Sequence, residues 1–295
     1  MLKTARHLAE YAALRAALLP LDALPLSAAR FMAERLADAA FVLAPARRRL
    51  AVANLMAAGI CDSPSRAAAV ARASFRHFAS LLVESLKAPR FLAEQTWRRH
   101  VTLHADPPIR ALLEDPSRGL IVATGHLGCW EVGAQALSHL KPLTAVARRM
   151  NNPYADRFML RRRAGQRFRT TPKRGASGRR LLPLLREGEA VALMIDQHAR
   201  SHGMPIEFFG RPAATHTAPA RLHLLTGAPL CFAACLRTGP ARYDLRLSDP
   251  IVHAPDGSRE QAVRAVLVDL TRRLEEAVRM NPAQYMWGHR RWRLT

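Results

Sequence analysis

The sequence predicts an α/β fold: a mixed, largely parallel central sheet flanked by helices, with a helical region at the N-terminus. Three observations predict it. From residue 111 onward, short apolar runs alternate with stretches of helical period, the pattern of strands joined by crossover helices. The runs near 230 and 247 are joined only by Arg237-Thr-Gly-Pro-Ala241, too short for a crossover, so that pair runs antiparallel. Before residue 60, Ala- and Leu-rich faces recur at helical spacing and no strand-like run appears.

In chain order, Leu8, Tyr11, Ala12, Leu14, Leu18 and Leu19 give the first apolar face. Pro20 and Pro25 break it, and residues 28–41 resume it before Arg47-Arg48-Arg49. Apolar faces beside Arg clusters suit helices lying on an anionic membrane surface; a helical layer packed on the main domain is the equal alternative, and one chain can do both. Residues 64–86 form a helix with Ser63 as its N-cap, and Phe75, Phe78, Leu82 and Leu86 are its core face. Residues 91–109 connect it to the sheet. Strands are expected over 120–124, 143–147, 168–171, 190–195, 230–236 and 243–247. Helices are expected over 131–140, 153–165, 177–187, 215–226 and 258–280. The chain divides into an N-terminal helical region, 1–110, packed on an α/β core, 111–295, as one continuous domain.

The charge narrows the partners. Against 45 Lys+Arg stand 23 Asp+Glu, giving +22 with His neutral. That balance calls for an anionic partner: nucleic acid, acidic lipid headgroups or an acidic carrier protein. Nucleic acid is disfavoured, because no known module is present and the 6% aromatic residues are not interleaved with the basic runs. Arg161-Arg162-Arg163, Arg167, Arg169, Lys173, Arg174, Arg179 and Arg180 form the densest basic region. The four cysteines are scattered, so neither a disulfide framework nor a metal site is expected. No stretch reaches the ~18–20 apolar residues of a membrane span. Arg6, Glu10, Arg15 and Asp22 interrupt any signal-peptide core.

The chemistry centres on Gly125-His126-Leu-Gly128-Cys129-Trp-Glu131, after the strand at 120–124. The spacing H-x4-[DE] is expected about once by chance in such a chain, and it occurs twice, at His126/Glu131 and His202/Glu207. The second pair spans a loop. In the first, five helical residues would turn roughly 500°, so the two side chains meet only if His126 precedes the helix, in a turn that Gly125 and Gly128 permit. Glu131 then orients the ring and raises the basicity of its other nitrogen; the alternative is Glu131 at a helix N-terminus and His126 as an ordinary turn residue. Cys129 offers a thiolate nucleophile, or a small buried hydrophobe.

These blocks resemble the late acyltransferases of lipid A biosynthesis, in the wider lysophospholipid-acyltransferase-like group. Gly125 to Glu131 is similar to G-H-F-G-N-W-E, Arg148-Arg-Met-Asn-Asn152-Pro153 to R-P-x-x-N-P, and Pro172-Lys-Arg-Gly175 to P-K-R-G. Asp196-Gln197 resembles a strand-end D-Q, residues 208–212 F-F-G-R-P, and residues 289–292 H-R-R-W. Leu50-Ala-Val-Ala-Asn54-Leu55 also fits, and the blocks keep the family order from about 50 to 292. Cys129 departs from the usual Asn and Arg149 from the usual Pro. The resemblance implies His126 as general base on an acceptor hydroxyl and Glu131 as its orienter. It implies an acyl carrier protein thioester as co-substrate, with no cofactor, and a lipid A precursor or related glycolipid as acceptor. A lysophospholipid acceptor and a CoA donor remain the alternative within the family. Arg148 is the implied candidate for a positive group near the acceptor phosphate or the oxyanion, with a solvated charge at a strand end as the alternative. Asn152, Asp196, Gln197 and Gly128 are the other substrate-binding or oxyanion candidates, with loop capping as the alternative for Asp196 and Gln197. The implied location is the cytoplasmic face of the inner membrane, peripheral or monotopic.

Overall fold

The computed structural model describes residues 2–147, 149–163, 168–172, 178–199, 203–251 and 257–292. Four helices come first: α1 (Leu2–Ala23), α2 (Leu26–Leu43), α3 (Pro45–Ala57) and α4 (Pro64–Phe91). The α/β part follows as β1 (Val101–His104), α5 (Pro107–Glu114), β2 (Leu120–Thr124), α6 (Trp130–Leu140), β3 (Leu143–Ala147), α7 (Pro153–Arg163), β4 (Phe168–Pro172), α8 (Gly178–Arg186) and β5 (Ala190–Met194). A hairpin, β6 (Gly203–Phe208) and β7 (Arg211–His216), precedes α9 (Ala218–Thr226), β8 (Leu230–Gly239), β9 (Arg242–Leu247) and α10 (Arg259–Met280).

Seven strands form one sheet in the order β1-β9-β8-β2-β5-β3-β4. From β8 to β4 all neighbours are parallel; β9 is antiparallel to β8, and β1 parallel to β9. The expected antiparallel return near 240 is thus present. β2 lies between β5 and β8 and is covered on both faces. Ile121 and Ala123 enter the core shared with α8, α9 and α10, whereas Leu120 and Val122 enter the core shared with α5 and α6. Burial on both faces explains why its sequence is a continuous apolar run rather than an alternating one.

Several expectations are corrected. β1 lies within 1–110, so the sheet begins ten residues before the expected core. Residues 215 and 216 belong to β7 rather than to a helix. The β6–β7 hairpin turns through Phe209 and Gly210, both with positive φ (51° and 68°), the geometry of a two-residue hairpin turn. Its strands, cut by Pro205 and Pro212, do not read as strands in sequence. α4 runs five residues past the expected end. Ser63 caps it as expected, its hydroxyl accepting from Arg66 N. Of the expected core face, Leu86 is buried and Phe75 and Phe78 pack against the cores, but Leu82 is 50% exposed, and the buried stripe also takes in Ala67, Ala71, Ser74, His77, Leu81 and Glu84. The face is wider than expected because His77 and Glu84 are polar residues buried for their hydrogen bonds, which an apolar-period count passes over.

α2 serves both sides. Ala29 and Ala33 pack against Val83 of α4. Outward, Phe31 is 62%, Leu36 65% and Leu43 80% exposed. No described helix is long and apolar enough to cross a membrane.

Candidate active site

The site forms where two adjacent parallel strands end. β2 and β5 pair in register, Thr124 opposite Met194. His126 lies two residues beyond Thr124 and Asp196 two beyond Met194, so the register brings them level at the carboxyl edge of the sheet, where α/β folds place ligand chemistry. Asp196 Oδ1 accepts from His126 Nδ1 at 2.8 Å, and Oδ2 accepts from the His126 amide at 2.7 Å. Gly125 makes this approach possible: a Cβ there would stand 2.8 Å from Leu274 Cδ1 and 3.3 Å from the Asp196 carboxylate.

Asp196 is 3% exposed. Burial opposes its charge, but the His126 ring and amide outweigh it and hold the carboxyl below the usual carboxylate range. Burial, with the Asp196 charge adding to it, raises the pKa of the nearby Tyr285 phenol well above its ordinary value, so that hydroxyl stays neutral. Burial alone would lower the His126 pKa; the Asp196 charge and hydrogen bond outweigh it and raise the ring above the ordinary imidazole value. A carboxylate only accepts, so Nδ1 carries the ring proton and Nε2 holds the lone pair. Gln197 faces that nitrogen, its Nε2 at 3.2 Å. Two consecutive residues therefore grip both nitrogens of one ring.

This corrects the expected pairing. The carboxylate on Nδ1 is that of Asp196, through the β2–β5 register, and not that of the acid five positions along. Glu131 occupies the first turn of α6, whose first residue, Trp130, sets its ring edge-on to His126 with centroids 5.1 Å apart. Gly128 also departs from expectation. Its φ is +63°, and a Cβ would fall 2.0 Å from Cys235 O. Its N–H donates to Gln284 O at 2.9 Å, so that amide is committed to the fold rather than aimed at substrate. Asn152 caps α7 by accepting from the amides of Tyr154 and Ala155, and its side-chain amide donates to His7 O at 2.7 Å; it ties the start of α7 to α1 and does not touch the His126 ring. Arg148 lies outside the described residues, as do His202 and much of the basic region of 161–180.

Cys129 is fully buried and donates to Glu84. Burial raises its thiol pKa well above the ordinary value, which excludes a resting thiolate nucleophile. Glu84, also fully buried, pairs with Arg237 at 3.0 Å and Arg30 at 3.3 Å. Sequence reasoning missed this network; its signal was an acid inside the apolar period of α4. It missed the C-terminal strap too. Met286 N donates to His126 O, Ser74 to Tyr285 O, and the Asn54 amide to the carbonyls of Trp287 and His289 at 2.7 and 2.8 Å. Arg291, 3% exposed, donates to Ala214 O and Thr215 Oγ1, and Trp292 stacks on Phe208 with centroids 5.7 Å apart. Blocks far apart in sequence thus converge behind one histidine.

A family model described as bacterial lipid A biosynthesis acyltransferase matches residues 2–294. The chain belongs to this family. A curated relative, a phosphatidylinositol mannoside acyltransferase of Mycolicibacterium smegmatis (strain ATCC 700084 / mc(2)155), is 28% identical over 127 residues, which is 41% of each chain. The alignment thus spans less than half the length of that relative. Among solved structures, the 1-acyl-sn-glycerophosphate acyltransferase PlsC of Thermotoga maritima aligns with 82% of this chain and 96% of its own, at 12% identity and a TM-score of 0.38. Membership in this family makes the protein an acyltransferase. An imidazole with one nitrogen anchored on a buried carboxylate presents a basic lone pair on the other, a geometry suited to accepting a proton.

Proposed function

We propose that this acyltransferase moves a fatty acyl chain from an acyl carrier protein thioester to a hydroxyl of a lipid A precursor or related glycolipid. The observation that carries the chemistry is the His126–Asp196 pair at the end of two adjacent strands. His126 Nε2 takes the proton of the acceptor hydroxyl as its oxygen attacks the thioester carbonyl. The tetrahedral oxyanion collapses, the carbon–sulfur bond breaks, and the departing thiolate takes the proton back from Nε2. The products are the ester and the free carrier thiol. Asp196 fixes the tautomer and stabilises the imidazolium, and Glu131 adds a second negative charge from the start of α6. Arg148 takes the acceptor phosphate.

The outward face of α2 seats the protein on the cytoplasmic face of the inner membrane. Phe31, Leu36 and Leu43 enter the headgroup boundary, and neighbouring arginines meet anionic lipid. An acidic carrier protein suits the chain's +22 charge.

The name of the relative, a phosphatidylinositol mannoside acyltransferase, favours a second reading in which the acceptor is a different glycolipid; acyl-CoA is the donor alternative that goes with it. Mass spectrometry of total lipids with and without the protein tests both. Gain of one acyl chain on a lipid A species supports the first; a change confined to other glycolipids or phospholipids supports the second. In a purified assay with carrier-bound or CoA-bound donor, His126→Ala abolishes transfer; undiminished transfer refutes the mechanism.

A further inference from the structure

The lone pair that the proposed base needs is already occupied by a donor. Nδ1–H of His126 is tied to Asp196 at 2.8 Å, so Nε2 can only accept, and the group that faces it at 3.2 Å is the side-chain amide nitrogen of Gln197. An acceptor hydroxyl must donate to the same nitrogen before it can lose its proton. The two cannot share one lone pair, so the amide leaves when the hydroxyl arrives.

The turn supplies few alternatives for an oxyanion. The amide of His126 donates to Asp196, that of Gly128 to Gln284 O, and that of Cys129 to Cys235 O. The Gln197 amide, by contrast, is held by a bond that substrate binding breaks. Its tether is short: Gln197 follows Asp196, whose two bonds to His126 fix the backbone at that point. Once displaced, the NH2 group remains within a side-chain rotation of Nε2. The thioester carbonyl must also lie there, because its carbon is the atom the hydroxyl oxygen attacks.

We infer that Gln197 is a catalytic residue that exchanges partners: it caps His126 Nε2 in the empty site and donates to the oxyanion of the tetrahedral intermediate once the acceptor hydroxyl has taken its place. No bond to Gln197 forms or breaks covalently; one N–H···N hydrogen bond is replaced by one N–H···O⁻ bond. The inference rests on the general-base reading above, and extends it by naming the oxyanion donor and giving the empty site a self-capped state.

Gln197→Met keeps the length and removes the donor. Its expected effect is a fall in kcat of about 10²-fold, the scale of one lost oxyanion donor, with acceptor KM unchanged or lower because there is no cap to displace. In ligand-free protein the same variant raises the His126 pKa followed by NMR, because the amide hydrogen bond exists only with the neutral ring. Gln197→Glu restores length and polarity without a donor and does not rescue kcat. A Gln197→Met kcat within about threefold of the parent, or full rescue by Gln197→Glu, overturns the inference. His126→Ala, run beside it, separates the two levels. If that variant retains transfer, the general-base reading fails first; if it is inactive while Gln197→Met is not, only the role of Gln197 fails.

Discussion

Nδ1 of His126 lies 2.8 Å from Oδ1 of Asp196, across two strands whose partners are 70 residues apart in sequence. This pair sets both the ring's tautomer and its raised pKa. Activity that requires neutral His126 falls as the pH drops through a value above 6.5, the ordinary imidazole value. Asp196→Asn removes the charge that raises the ring. The expected result is a kcat lower by about 10²–10⁴-fold and an acid limb shifted to lower pH, read from a pH–rate profile.

Glu131→Gln is the matching comparison. With Asp196 on Nδ1, Glu131 at the start of α6 does not hold that nitrogen, and the loss of its charge is expected to cost about fivefold or less. Steady-state kinetics of both variants in one assay check this. A Glu131→Gln loss equal to that of Asp196→Asn returns the orienting role to Glu131.

The buried Glu84 holds two guanidinium groups, at 3.0 Å and 3.3 Å. Glu84→Ala leaves Arg237 and Arg30 without their shared counter-charge in the interior, and is expected to destabilise the fold by about 3–5 kcal/mol. Replacing Arg237 by Leu in the same chain should recover part of that loss. Denaturant titration of the single and double variants measures it.

His77 donates its Nε2–H to Gly128 O at 3.1 Å, and burial pushes its pKa down to about 3. Above pH 6.5 the ring is neutral in both folded and unfolded chains and contributes no pH dependence. Below that, the unfolded chain binds a proton that the folded chain refuses, so stability falls by up to about 1.4 kcal/mol per pH unit until the folded pKa is reached. His289, lowered to about 4 by burial, acts in the same direction. His77→Gln is expected to flatten the stability-versus-pH curve between pH 6 and about 4, as urea midpoints at several pH values would show.

Gly128→Ala tests the turn itself. The left-handed φ and the 2.0 Å approach to Cys235 O leave no room for a Cβ. The expected outcome is a folded, destabilised protein with a displaced His126 and a lower kcat, visible as a lower midpoint of thermal unfolding together with the lost rate.

The sequence by itself determined the α/β alternation, the antiparallel return near 240, and the placement of His126 in a Gly-flanked turn at a strand end. Each is written in local patterns: apolar run length, period and turn residues. The family blocks likewise marked Asp196 and Gln197 as candidates. The partner of His126 was a different matter. Glu131 is near in sequence and Asp196 is not, and only the β2–β5 register, Thr124 against Met194, decides which carboxylate reaches the ring. The same holds for Glu84, His77 and Asn54. Their value depends on which carbonyls, thiols and guanidiniums surround them after α3, α4 and the C-terminal strap have packed. A buried polar residue follows no period of its own, so nothing short of the assembled fold assigns its partner.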